Sequence, residues 1–455
     1  MAVASYTHAR SVVEYSESPL YHYEYSSISQ SFARLLASCN GDVGVFDKAA
    51  KVHVNRFRPQ SYVVRTHVDA FPVFKPFSPT LEGRSHVYKP NCTVAGNKPV
   101  EIGYNISCLN QGFNDKWSVP LDIRRVETGK TSLEVGVEQL EEFLRENPDL
   151  FVVNSADSGY GAPTFLARLY EQENLINIVR LKNRNVWDYA PKGNTGGAGR
   201  IYGEEYALRL PDEKSSRKHP KTKEIVPQKR SIFEKSCAEE IKYTETTTKG
   251  KLVRVEILRY NNMAIRSKKG VYMKDKPFDL LVVQHFDAET SKRLHKKPIY
   301  LSIFSKNKAT ITSRDAYGEH YQHRYDIEPH NRFVKRQLLL DKFQTPIQAH
   351  FDLWLRVIQL AEWLLFSAAD EVESKPKKWQ SYNDPKKQER LTNAQTRKSC
   401  ESLFLSFDQT PFLPQISKKG KGRKLGTRFE KRMTFPIVVK RSQNMKKKMI
   451  PELKI

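Results

Sequence analysis

Residues 150–161 read LFVVNSADSGYG. The run 150–156 is apolar, short and followed by turn residues, so it is expected to be a buried strand that ends at Asp157. Gly159 and Gly161 permit a tight turn directly after that acid. Upstream, Thr131 and Glu134 have capping-box spacing. Leu133, Val137, Leu140 and Leu144 share one helical face, and Pro148 follows the end of the pattern. Downstream, 163–172 reads as a second helix and 175–181 as a further strand. Before the first helix lie three strand-like stretches. In the first, Tyr62, Val64, Thr66 and Val68 alternate with Val63, Arg65, His67 and Asp69, a period of two that ends at an acid. The second is 100–108 and the third 117–126. Three strands, helix, strand, helix, strand predict an α/β domain with a mixed sheet.

The rest of the chain departs from that order. Residues 183–305 hold a Gly/Lys/Pro-rich stretch and then strand-like runs at 252–258, 278–283 and 299–304, so they form a β-rich segment of roughly 120 residues. A helical pattern resumes near Ala316 and continues to about Phe343, and another spans 346–369. Residues 1–58 are polar, with one helical stretch near 27–39. The last segment, 375–455, carries 22 Lys plus Arg against 6 Asp plus Glu. In it 391–407 is expected to be a helix starting at Thr392, and 418–432 (KKGKGRKLGTRFEKR) is a basic run too poor in apolar residues to fold alone.

Charge narrows the function. The chain has 455 residues and a formal net charge of +25, which calls for a polyanionic partner, nucleic acid first. No apolar run reaches membrane-spanning length, because Arg356, Gln359 and Glu362 interrupt the longest one. The start of the chain lacks a basic-then-apolar export pattern, so a cytoplasmic protein is expected. Cys39, Cys92, Cys108, Cys237 and Cys400 are scattered and never spaced C-x-x-C, which argues against structural zinc and disulfides.

Three acids stand where chemistry is expected: Asp69 ends the first strand, Asp157 the fourth, and Glu328 lies on the late helix. Carboxyl ends of adjacent strands meet at one edge of an α/β sheet. Acids gathered there repel one another unless a divalent cation neutralises them, and Mg²⁺ prefers such oxygen ligands. Tyr321, Arg324, Glu328 and Lys335 follow the spacing Y-x₂-R-x₃-E-x₆-K. On a regular helix these four lie within an arc of roughly 60°. That face offers a metal-binding acid with cations for phosphate oxygens. Pro329 leaves two options: the helix kinks there, or a new helix begins with Pro329 in its first turn. Trp187 either stacks on an extruded base or packs in a core. The glycines at 193, 196, 197 and 199 lack the G-K-[ST] of a phosphate loop and read as a flexible loop.

On these residues the chain resembles the DDE transposases of bacterial insertion sequences, in particular the subgroup with the Y-R-E-K signature. The likeness runs over about residues 60–441. It includes the ADSGYG turn at Asp157, the GRIYGEEYALRLPD segment, the LTNAQTRKS helix and the FPIVVKR stretch of the tail. The resemblance implies a ribonuclease-H-like catalytic core in two parts, 59–182 and 306–372. A β-rich insertion at 183–305 separates them, a helical segment (1–58) precedes them, and a basic DNA-binding tail (373–455) follows. It further implies that Asp69, Asp157 and Glu328 hold two Mg²⁺ ions, with Mn²⁺ able to substitute. Arg324 and Lys335 would contact phosphate, and Tyr321 would position the DNA strand. The implied partner is double-stranded DNA, both terminal inverted repeats and target, bound by at least a dimer in the active complex. Two other functions fit the same residues: a nuclease of that fold without strand transfer, and a non-catalytic DNA-binding protein derived from a transposase.

Overall fold

The computed structural model describes residues 1–21, 27–38, 63–89, 99–113, 117–191, 201–213, 229–247, 250–267, 273–373, 390–407 and 431–439, with the single residues 52, 271 and 426. Cys39, Cys92, the glycines at 193–199 and most of the basic run 418–432 lie outside them. The fold is mixed α/β with a large mixed sheet of 13 strands. The strands are β1 (Val63–Phe74), β2 (Ser85–Tyr88), β3 (Val100–Gly112), β4 (Ser118–Arg125), β5 (Phe151–Ala156), β6 (Leu175–Arg180) and β7 (Asn185–Tyr189), followed by β8 (Tyr202–Ala207), β9 (Arg230–Ser231), β10 (Glu239–Thr246), β11 (Leu252–Ala264), β12 (Phe278–Asp287) and β13 (Ile299–Phe304). Among the described residues no helix is long and apolar enough to cross a membrane.

The chain divides into two compact units. One comprises Met1–Arg58, Ala70–Val135 and Asp326–Ile455, the other Pro59–Asp69 and Gly136–Tyr325. In the first unit, the Gln348–Ala368 helix packs on β4. Its polar side chains are buried, so each needs a partner. Gln359 Nε2 donates to Leu121 O at 2.8 Å, Trp363 Nε1 to Pro120 O at 3.0 Å, and Arg356 Nη1 to Asp122 Oδ1 at 2.9 Å. Arg125 grips Asp352 with two bonds of 2.9 and 3.0 Å. The Ser27–Ser38 helix adds Phe32 against Phe343 and Trp354. At the start of the Asn393–Phe407 helix the Gln395 side chain accepts the Thr392 N–H at 2.9 Å, and Arg397 donates to the carbonyls of Val3 and Tyr6, holding the first residues of the chain.

In the second unit, β1, β5 and β6 run parallel, and β13, β12 and β11 continue the sheet from β6 with antiparallel pairing. Val253, Val255, Ile257, Leu281, Val283, Leu301 and Ile303 form a core with Val153, Ile176 and Ile178, covered by Ala316, Tyr317 and Tyr321. Arg259 is buried against Asp279, with Nη2 to Oδ2 at 2.7 Å, and donates further to the carbonyls of Ile311 and Lys308. The charge is therefore paired and hydrogen-bonded, as a buried ion must be.

Several elements differ from expectation. β1 does not end at Asp69 but continues to Phe74, and β2 precedes the expected second strand. The expected helix from Ala316 to Phe343 is broken into a π-helical turn (Ala316–Tyr321), a 3₁₀ stretch (Gln322–Asp326) and a regular helix (Ile327–Arg336). The new helix opens at Ile327, so Pro329 sits in its first turn. There no intrahelical partner awaits its missing N–H.

Candidate functional site

The register of β1 on β5 pairs Val68 with Ala156. Asp69 and Asp157 are the next residues on each strand, side by side where the parallel pairing ends. Neighbouring strands lie about 4.8 Å apart, so the two half-buried carboxylates stand side by side at the carboxyl end of β5, where β1 runs on past it. Asp157 Oδ1 accepts the backbone N–H of Gly159 at 2.7 Å. A Cβ on Gly159 would lie 2.9 Å from that same oxygen, so the glycine leaves room for the acid. Gly136 does similar work for β1. A Cβ there would come within 3.1 Å of Val68 and 3.0 Å of Tyr160, so the helix at Ser132–Glu146 lies close to the residue that precedes Asp69.

Strand alternation puts Arg65 and His67 on the same face of β1 as Asp69, and Val153 and Ser155 on the same face of β5 as Asp157. The segment 316–325 packs over this face, with Tyr317 and Tyr321 in the core beside Val153, Ile176 and Ile178. A π turn adds a residue to the helical repeat and often marks functional sites. Here the segment carries His320, His323 and Arg324. Burial alone would lower the Arg324 pKa, but Tyr321, Tyr325 and Asp69 together raise it, so the guanidinium stays charged beside the acid. Arg324 is buried, 4.4 Å from the Tyr325 ring centroid and 5.9 Å from that of Tyr321. Burial pushes His67 well below the ordinary histidine value, and Arg65, His323, Arg324 and His320 add to the effect. His67 is fully buried and neutral, yet neither ring nitrogen has a hydrogen-bond partner among the described residues.

Tyr321 is fully buried. The one-face arrangement of Tyr321, Arg324, Glu328 and Lys335 requires a regular helix, and the π and 3₁₀ turns change the rotation per residue between Tyr321 and Glu328. In this structure the phenol packs and carries Arg324 over its ring.

Glu328 and Lys335 lie in the first unit, on the Ile327–Arg336 helix. Glu328 is exposed in its first turn, and Lys335 Nζ lies 4.8 Å from the Phe71 ring centroid. Below them the helix is fastened by His330, whose Nε2 is 3.0 Å from the carboxylate of Glu362, both side chains being about 1% exposed. Arg336, one residue on, is exposed.

Among the described residues no three His, Cys, Asp or Glu side chains are gathered as a metal-binding group. Asp69 and Asp157 are nonetheless the right donors for a hard cation: two oxygen ligands of like charge on neighbouring strands, whose repulsion a divalent ion relieves. Arg65 is the feature that the sequence hides. It looks too polar for a central strand, but its side chain is 10% exposed and reaches Glu319 at 3.6 Å. Trp187, on β7, lies 4.8 Å from the Arg266 guanidinium, which is equally close to Tyr202.

No curated protein matches the chain. Its residues 113–361, more than half of its length, match the family described as Transposase DDE domain. That range contains Asp157, Tyr321, Arg324, Glu328 and Lys335, and begins after Asp69. The chain belongs to the family of proteins with the transposase DDE domain.

Proposed function

We propose that the chain is an insertion-sequence transposase. It cuts DNA at the ends of a mobile element in a metal-dependent reaction and joins the freed 3′-hydroxyls to target DNA. The observation that carries this reading is the pair Asp69 and Asp157, side by side where the parallel pairing of β1 with β5 ends, with the charge of Arg324 beside Asp69. The strand order β4-β3-β1-β5-β6 supports a ribonuclease-H-like core, 59–182 with 306–372, interrupted by the insertion 183–305. The segment 1–58 is an accessory, and 373–455 is a DNA-binding tail.

Asp69, Asp157 and Glu328 would hold two Mg²⁺ ions, or Mn²⁺ in their place. When bound, such ions activate the attacking oxygen and stabilise the leaving one in an in-line displacement. Arg324 and Lys335 neutralise phosphate oxygens through charge-assisted hydrogen bonds. Tyr321 would position the DNA strand by hydrogen bonding. Two element ends must be held at once, so the active complex is at least a dimer on double-stranded DNA.

The test uses element-end duplexes already cut to expose a 3′-hydroxyl, incubated with a target plasmid and Mg²⁺. Joined products are expected. Hydrolysis without joining would make the chain a nuclease of the same fold, and no strand breakage in either metal would leave a DNA-binding protein.

A further inference from the structure

The first unit contains a cleft of about 410 Å³, far along the chain from the acid pair. Phe32, Phe343 and Ile347 supply an apolar wall, and Lys342, His350 and Arg432 supply polar and charged groups. No acidic side chain lines it. The volume falls within the range of small-ligand pockets, about 300–1,000 Å³.

Arg432 comes from the basic tail, and backbone bonds hold that part of the tail. Phe435 N donates to Pro79 O at 2.9 Å and Val438 N to Arg84 O at 2.8 Å, and Val438 forms a parallel bridge with Ser85, the first residue of β2. Arg84, 4% exposed, also donates from Nη2 to Phe435 O at 3.4 Å. Residues 435–438 are thus fastened by backbone bonds to 79–85, with a single bridge to the start of β2. Burial lowers the pKa of His350, so at neutral pH the cleft's charge rests on Lys342 and Arg432.

We infer that this cleft binds a nucleotide of single-stranded or frayed DNA, with the base against the Phe32, Phe343 and Ile347 wall and a phosphate between Lys342 and Arg432. A flat apolar body with an anionic end is what a wall and two cations without an acid select. The backbone bonds of 435–438 position Arg432 and so complete the site. The inference rests on DNA being the substrate, but not on the three acids.

The test is a fluorescence-anisotropy titration of the full-length protein with a labelled single strand of about ten nucleotides, in chelator so that cleavage cannot contribute. Lys342→Ala and Arg432→Ala are each expected to weaken binding about tenfold, one charge-assisted contact. Lys431→Ala, next to the cleft residue but not lining it, should change affinity less than about twofold. Val438→Pro deletes the N–H that bonds to Arg84 O. It should match Arg432→Ala and add little to it in the double variant. Lys342 is exposed, so its variant tests the site even if Val438→Pro disturbs folding. Equal losses at Lys431 and Arg432 would overturn the site in favour of diffuse tail charge. So would unchanged affinity for an abasic strand, since the wall would then be unused. A protein that fails to cleave DNA yet shows these losses would refute the proposed reaction and leave the cleft standing.

Discussion

Replacing Asn154 by alanine should cost roughly 2–4 kcal/mol of stability without changing the cleavage rate of the folded protein. Asn154 is fully buried in the middle of β5. Thr66 Oγ1 donates to its Oδ1 at 3.2 Å, and its Nδ2 donates to Asn177 Oδ1 at 2.7 Å. The three residues stand opposite one another on β1, β5 and β6, a polar rung across the parallel strands. Truncation removes two hydrogen bonds of about 0.5–1.5 kcal/mol each and leaves a buried hydroxyl and a buried amide oxygen without them. Asn154 points to the face opposite Asp157, so the acids keep their surroundings. Urea unfolding followed by tryptophan fluorescence measures the loss, and DNA cleavage at a temperature where the variant stays folded measures the rate. A loss below about 0.5 kcal/mol, the scatter of neutral surface changes, would refute the rung and with it the register. A slip of one residue would turn Asp69 or Asp157 to the other face of the sheet.

Three further outcomes follow from the same structure. Arg324→Ala and Lys335→Ala should reduce cleavage more than DNA affinity, each by about 1.5–3 kcal/mol, while Arg336→Ala changes little; equal effects at Lys335 and Arg336 in a cleavage assay would make the spacing accidental. Burial, with His295 beside it, pushes His285 down to about 4, below its unfolded value. The unfolded chain then takes up the proton first, and stability is lost as pH falls from about 6.5 towards 4. His285→Gln should flatten that part of a denaturation-against-pH curve, and an unchanged curve would mean that His285 is charged in the fold. Deleting 440–455 removes six basic residues and one acidic residue, so the slope of log affinity against log salt on random duplex should shrink by at most about 5. An unchanged slope would take that segment out of the DNA interface.

Legibility in the sequence followed burial. Residues 150–156 read correctly as a strand, apart from Leu150, because β5 is buried on both faces and opens with the apolar run Phe151, Val152 and Val153. The Thr131–Glu134 box read correctly because capping is local, and the backbone N–H of Glu134 does reach Thr131 Oγ1 at 3.2 Å. β10, EEIKYTET, gave little signal, since it pairs with β11 and keeps alternate side chains in solvent, and only Ile241 and Tyr243 of its inward face are apolar. The break at 316–326 was equally silent. Hydrophobic spacing over two turns does not distinguish π and 3₁₀ turns from regular helix, so a face drawn through Tyr321 and Glu328 was unreliable in advance. Pro329 was the one residue that announced it. For the site, each acid ends a strand-like pattern in the sequence, although β1 runs on past Asp69, and their adjacency depends on the pairing of strands 88 residues apart in the chain. The cationic surroundings of Asp69 depend on what the segment 316–325 packs against, which no local pattern records.

The central claim is that Asp69, Asp157 and Glu328 carry metal-dependent DNA cleavage, and the most direct measurement is nicking of an element-end duplex by Asp69→Asn, Asp157→Asn and Glu328→Gln in Mg²⁺ and in Mn²⁺. Each substitution keeps the size of the side chain and removes its charge, so DNA binding should be largely retained while cleavage is abolished in both metals. A variant that cuts at near the wild-type rate would remove its residue from the site, and full activity of Asp157→Asn would contradict the account as a whole.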